Sequence, residues 1–589
     1  LLLCLSLRLK KVKGIYTMVG VLKKRWVSAV IGVFLSGCAL ANNLANADSQ
    51  APPPDYQLVL AGGALAVCSS YSARHCIDKI PVGKSQNQYA ISASALGFIQ
   101  QKSNSKGMLA LTNTLSSSIS KQPLTKAELE DIFAQAGHHQ TVRELSDHDY
   151  YLLYDQLEIF SKSANGTTRL TESSNLAAST SDASKAIITT FIEQAKRNAK
   201  KERTSPKILV VTASSRDSYA AVDYYQSLFA SSGVVTQWLP IDRVLQAVTE
   251  AKQCEELAAF QAKHHIFNRQ QVYPDLFAQQ LNACQNPDQL IAQVNQAHGI
   301  FFNGGDQSLT RAALFNSQGT PNAILDALIT RTAAGFMVVG GTSAGTAVQA
   351  GRLFNGSNIP MISNGRSENA IIRGVFAQRA PSQRCSDSCS ETALQPGDVT
   401  YQQEGGTGLL PFASTDTHFS ERNREGRFIA LNALTDTPFG FGVDENTALL
   451  VSMDNWRKPQ DVTFKAIGAH GVFIYDDSAS QVSRDTSGHT FGGYVHFLPH
   501  GATAMLSMKE QQWIFEAQHD NSRSPLTYAT TDGLWRHYAQ QLCKLENKFA
   551  QAWALDNINY VIAPLPQTQF WVGENGLCGY AYLGYAISP

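Results

Sequence analysis

Residues 336–345 read Phe-Met-Val-Val-Gly-Gly-Thr-Ser-Ala-Gly: an apolar strand that runs straight into Gly-x-Ser-x-Gly and on into an alanine-rich stretch. Few patterns constrain a fold as tightly. Glycines lack a Cβ, so a strand and a helix can meet there in a tight, strained turn. Such a turn lifts the serine hydroxyl, here that of Ser343, above the C-terminal edge of a sheet. It also leaves the N–H of Ala344 at a helix N-terminus, where it can donate to an oxyanion. Ser343 is therefore the candidate nucleophile. A glycine-rich phosphate-binding helix start is the plainer alternative.

That strand needs neighbours, and the chain supplies them. Apolar strands at 207–212, 234–239, 299–302 and 336–339 alternate with helical patterns at 183–200, 217–230 and 322–333. Near-continuous apolar strands between helices predict an α/β fold, a mostly parallel sheet with helices on both faces. An earlier strand, Gln57 to Ala61, ends in Gly62-Gly63. Residues 65–180, rich in Ser, Thr, Asn and Gln, read as a large insertion with one or two helices within 126–162. A helix is expected over 424–434 and strands near 439–443, 447–452, 461–466 and 471–475. Residues 501–589 carry scattered aromatics and no repeat, and read as a C-terminal extension of a catalytic domain over 56–500.

At 589 residues the chain exceeds one ordinary hydrophobic core. Its formal net charge is zero, with no dense Lys/Arg run after residue 25, which argues against nucleic acid as a partner. Met18 is followed by Lys23-Lys24-Arg25, an apolar run from Trp26 to Phe34, and Leu35-Ser36-Gly37-Cys38. This is a secretory signal with a lipoprotein-type ending, over residues 1–37 with Met18 as the expected start. Cys38 would receive lipid, and 38–55, ending in three prolines, would be the tether. An uncleaved anchor or an ordinary secretory signal is the alternative. The expectation is an exported protein, lipid-anchored to the bacterial envelope or extracellular. Eight further cysteines favour disulfides in that compartment. Pairing sequence neighbours gives 68–76, 254–284, 385–389 and 543–578; Cys385 and Cys389 could instead start a zinc site, but no second pair follows.

A serine nucleophile needs a base. Asp416-Thr417-His418-Phe419-Ser420-Glu421-Arg422-Asn423-Arg424-Glu425-Gly426-Arg427 offers His418, flanked by Asp416 and three arginines. A loop whose guanidiniums converge on an acidic substrate would explain the cluster, as would a basic surface turn. Glu445, at the end of Gly440-Phe441-Gly442-Val443-Asp444, is the candidate acid, with Asp444 competing. A second glycine turn, Asn303-Gly304-Gly305-Asp306-Gln307, follows an apolar strand and could bring a backbone N–H to a substrate oxygen.

These four segments, in this order, resemble the cyanophycinase and peptidase E family of serine peptidases, as does the opening Leu-Val-Leu-Ala-Gly-Gly at 58–63. The resemblance covers roughly 56–66 and 183–500. It implies a class I glutamine amidotransferase-like fold, a Ser343–His418–Glu445 triad, and an oxyanion hole from the N–H groups of Gly305 and Ala344. Gln307, Asp416, Arg422, Arg424 and Arg427 match positions that line the family's substrate pocket. The implied substrate is cyanophycin, a poly-aspartate bearing arginine on each β-carboxyl, cut to β-aspartyl-arginine, or an aspartyl peptide. No metal or organic cofactor is implied, and a homodimer is left open. Thr417 and Thr346 depart from the family pattern. Two other classes compete: an α/β-hydrolase esterase using Asp416 and His500 in the order Ser, acid, His, and a lipid-anchored binding protein without turnover.

Overall fold

The computed structural model describes residues 55–163, 166–382, 384, 393–516, 533–544 and 549–589. The leader, Cys38, the tether up to residue 54, and the Cys385–Cys389 pair lie outside the described residues.

The centre of the fold is a nine-stranded sheet. From one edge its strands run Gln512–Glu516, Thr503–Ser507, Asp461–Gly468, Thr447–Met453, Leu58–Ala61, Val338–Thr342, Gly299–Phe302, Lys207–Val211 and Val235–Trp238. The expected mostly parallel sheet is corrected to a mixed one. Strands from Leu58–Ala61 to Val235–Trp238 are parallel, and the other half is antiparallel. The cause is chain length: residues 454–460 join two of the strands, too few for a crossover to a parallel neighbour.

The long helix Asp182–Glu202 crosses the middle of this sheet, from Asp461–Gly468 to Lys207–Val211. Ser181 caps it by accepting the Ser184 N–H. Its buried Ile187, Ile188, Phe191, Ile192 and Ala195 recur at helical spacing and face the sheet, where the Phe191 ring meets that of Phe301 edge-on.

A second, eight-stranded sheet runs Ala413–Thr417, Phe439–Val443, Gly471–Asp476, His489–Pro499, Cys578–Ser588, Ile558–Val572 and Gln551–Leu555, with Gln481–Arg484 paired beside His489–Pro499. Phe441, Val443, Val472 and Ile474 share the main hydrophobic core with the central sheet. A separate core, holding Phe419, Phe428, Phe473, Trp535, Tyr560 and Tyr580, joins the second sheet to the helices Glu425–Leu434 and Leu534–Lys544. Residues beyond 500 thus contribute strands to both sheets.

The stretch 65–180 holds more helix than its composition suggests. Within 126–162 there are three helices, Lys126–Gln135, His139–Glu144 and Asp147–Leu157, preceded by Ala93–Lys102 and Lys106–Leu115. A capping box at Thr125 and Glu128 starts one of them. Leu111, Leu129, Phe133, Leu152 and Leu157 make their own core. A buried ion network fastens this layer to the rest: Arg269 donates to Glu158 at 2.9 Å and to Asp217 at 2.7 Å, and Arg216 to Asp155 at 2.7 Å. Disulfides join Cys68 to Cys76, Cys254 to Cys284 and Cys543 to Cys578, compatible with an exported protein. No helix among the described residues is long and apolar enough to cross a membrane.

Candidate active site

Ser343 follows the central strand Val338–Thr342 and takes φ 53° and ψ −117°, a conformation L-residues rarely adopt. Its N–H donates to Ala61 O at 3.0 Å, and the Thr346 and Ala347 N–H groups close on its carbonyl. The Thr346 hydroxyl donates to Ala61 O at 2.7 Å and lies 3.0 Å from Gly341 O, so it ties the elbow to the first strand. The glycine at 345 is required by space, since a Cβ there would lie 2.2 Å from Phe302 O.

Two strands of the other sheet, Ala413–Thr417 and Phe439–Val443, are parallel and bring His418 and Glu445 to one edge. His418 Nε2 lies 2.8 Å from Ser343 Oγ, and His418 Nδ1 lies 2.6 Å from Glu445 Oε1. The His418 N–H donates to Gly62 O at 2.8 Å, and the Asn446 N–H to Gly63 O at 2.9 Å, so the turn after the first strand threads beneath both residues. Gly63 has φ +116°, and a Cβ on it would sit 2.4 Å from both Cε1 and Nε2 of His418. Burial lowers the His418 pKa below its ordinary 6.5; the Glu445 hydrogen bond opposes that and the Arg422 charge adds to it.

The turn after strand Gly299–Phe302 lies against the serine: a Cβ on Gly304 would be 3.4 Å from Ser343 Cβ. Gly305 has φ +145° and is exposed. The Asp306 N–H donates to Ser214 O at 2.8 Å and Asn303 Oδ1 accepts the Ser214 N–H at 3.1 Å, which fixes the turn. Ala344 is the first residue of its short helix, so its N–H has no acceptor within the helix.

The arginine cluster departs from the expectation of convergence on a substrate. Asp416 is almost wholly buried, and its oxygens accept from Arg427 Nε at 2.9 Å, Arg427 Nη2 at 2.7 Å and Arg424 Nη1 at 3.1 Å. Burial alone would raise the Asp416 carboxyl; the Arg427 and Arg424 charges outweigh it and hold it below the usual carboxylate range. Arg424 also donates to Thr417 O, and Arg427 Nη1 to Gly365 O at 2.6 Å. Asp416, Arg424 and Arg427 thus form a frame behind His418. Arg422 is exposed and near enough to affect His418, and its guanidinium makes no hydrogen bond or ion pair with the described residues. Gln307 is half-buried and donates to Ile362 O at 2.5 Å.

The competing acids and base lie elsewhere. Asp444 points away from His418, accepting the Ser420 N–H at 3.0 Å and Arg536 Nη1 at 2.8 Å. His500 accepts the Gly468 N–H at 2.9 Å and sits 3.7 Å from Glu574, so Asp416 and His500 do not assemble with Ser343. The motifs did not single out Glu421, whose Oε2 accepts the Glu445 N–H at 3.0 Å, or Arg536, which donates to Glu421 Oε1 at 2.6 Å. Arg536 stands 92 positions from Asp444 in a stretch without a motif, so no local pattern announces it.

No family model matches the chain. It is 28% identical over 188 residues to a cyanophycinase from Trichormus variabilis, covering 32% of this chain and 48% of that protein. A cyanophycinase from Synechococcus elongatus is 29% identical over 189 residues, covering 32% and 45%. The matched stretch thus spans about half the length of these relatives. Among solved structures, a peptidase from an acI-B1 Actinobacterium matches at 16% identity and a TM-score of 0.28, over 55% of this chain and 91% of that one.

Proposed function

We propose that this protein is a serine-type peptidase of the cyanophycinase kind, on a class I glutamine amidotransferase-like framework, with Ser343 as nucleophile, His418 as base and Glu445 as acid. The observation that carries the reading is the unbroken chain of contacts at 2.8 and 2.6 Å from Ser343 through His418 to Glu445, on a strained turn at a sheet edge.

In the proposed reaction His418 Nε2 takes the Ser343 proton as Oγ attacks the scissile carbonyl. Glu445 accepts the Nδ1–H, fixing the tautomer and supporting the imidazolium. The N–H groups of Gly305 and Ala344 donate to the tetrahedral oxyanion. The imidazolium then protonates the leaving amine, and water, deprotonated by His418, releases the acyl group.

Arg422, exposed and close enough to act on His418, is the guanidinium proposed to hold a substrate carboxylate, with Gln307 as a second proposed contact; Asp416, Arg424 and Arg427 shape the loop that carries the base. Cyanophycin is the proposed substrate. A polymer granule cannot cross a membrane, and the signal-like leader with Cys38 would put the enzyme outside, held by lipid.

The test is purified protein on insoluble cyanophycin with mass analysis of the products. Release of β-aspartyl-arginine is expected. Turnover of α-linked aspartyl peptides without that dipeptide would refute the substrate and leave the peptidase. Fractionation of host cells carrying Cys38→Ala tests the anchor, with loss of the protein from membranes expected and an unlipidated, wholly soluble wild type the contrary result.

A further inference from the structure

Behind Glu445 lies a buried acidic layer that the proposed reaction does not use. Glu421 comes from the turn after His418, Asp444 from the residue before Glu445, and Glu425 from the start of the helix Glu425–Leu434. Asp444 is fully buried, Glu425 nearly so, and the Glu421 side chain is 14% exposed. Burial, then the Asp444 charge, push the Glu421 carboxyl up to about 7. Burial raises Glu425 well above the carboxylate range, and its Oε1 has no hydrogen-bond partner among the described residues. Nearby His470 Nε2 is 3.7 Å from Glu421 Oε1. Carboxylates brought this close in a low dielectric repel unless a cation joins them.

That cation comes from far along the chain. Arg536, on the C-terminal helix Leu534–Lys544, uses one nitrogen, Nη1, to donate to Glu421 Oε1 at 2.6 Å and to Asp444 Oδ2 at 2.8 Å. The other oxygen of each acid holds backbone: Glu421 Oε2 accepts the Glu445 N–H at 3.0 Å, and Asp444 Oδ1 accepts the Ser420 N–H at 3.0 Å. The helix is docked where this matters. Its Leu534 N–H donates to Asn423 Oδ1 at 2.8 Å, and Trp535 packs edge-on against Phe473, whose ring lies tilted against that of Phe419 beside His418.

We infer that Arg536 is a positioning residue for the proposed site: by bridging Glu421 and Asp444 it fixes the backbone of Glu445 and of the turn after His418, so the C-terminal segment completes the catalytic edge. The inference rests on the reading of Ser343 as nucleophile. Because a single nitrogen spans both carboxylates, a lysine can take the same place.

The experiment is inactivation of the full chain by an alkyl fluorophosphonate, resolved into reversible affinity Ki and covalent rate kinact, with thermal unfolding of each variant. For Arg536→Gln, kinact should fall by about 10- to 100-fold with Ki within about threefold, because the base and acid are displaced while the pocket remains. Arg536→Lys should recover to within about fivefold of wild type. Glu421→Ala, which removes the acceptor for the Glu445 N–H, should lose kinact like Arg536→Gln. Folded Arg536→Gln and Glu421→Ala proteins reacting at the wild-type rate would overturn the inference while leaving the nucleophile standing. If Arg536→Gln does not fold, Glu421→Ala decides, and a wild-type kinact there overturns it. A wild type that does not react removes the Ser343 reading, and this one with it.

Discussion

Gly63→Ala isolates the geometry of the proposed base, His418, from its chemistry. The substitution adds one methyl group and touches none of the proposed reacting atoms. At φ +116° an alanine is strained by about 1–3 kcal/mol. The new Cβ would also sit 2.4 Å from His418 Cε1 and Nε2, far inside contact distance, with the ring the softest object nearby. Relieving that overlap to an ordinary contact near 3.5–4.0 Å moves the imidazole by about 1 Å or more. The 2.8 Å contact to Ser343 and the 2.6 Å contact to Glu445 cannot both survive such a shift. A displacement of about 1 Å costs on the order of a hundredfold in rate. The expected result is a folded protein with a modestly lower Tm, kcat on peptide substrate down about a hundredfold, and KM little changed. Steady-state kinetics beside a thermal melt measures both. A Gly63→Ala protein with kcat within threefold of wild type would refute the close seating of His418 on this turn.

Three further outcomes follow from the same geometry. His418 must be neutral to accept the serine proton, and its pKa is lowered from 6.5, so kcat/KM should fall on the acid side with an apparent pKa below 6.5; a limb clearly above 6.5 would contradict the buried setting. Asp416→Asn should cost about 3–5 kcal/mol in denaturant unfolding, because it strips the shared counter-charge from the largely buried guanidiniums of Arg424 and Arg427, and a loss under 1 kcal/mol would argue against the frame. Arg422→Ala should leave stability unchanged and lower kcat/KM about tenfold through loss of one charge-assisted contact, an effect absent if Arg422 is a bystander.

Much of the site was legible because its signals are local. A strand, a glycine turn and a serine in sequence dictate the elbow at 336–345, and the proposed base and acid each lie within two residues of the end of a strand. The antiparallel half of the central sheet was legible in principle. Only residues 454–460 separate two of its strands, Thr447–Met453 and Asp461–Gly468, and a connection of that length cannot make a parallel crossover. Burial of Asp416 was not legible. The motif places it beside arginines, but only the pairing of Ala413–Thr417 with Phe439–Val443 turns its side chain inward. Arg536 was least legible, because its partners are acids from distant segments and nothing in residues 533–544 marks it as more than an amphipathic helix.

The central claim is that Ser343 is an activated nucleophile, and the most direct measurement is the site of covalent attachment. Wild-type protein treated with an alkyl fluorophosphonate should gain one adduct mass, mapping by peptide fragmentation to Ser343. Ser343→Ala and His418→Ala should gain none on the same timescale. An adduct on another serine, or equal labelling of the Ser343→Ala protein, would contradict the account.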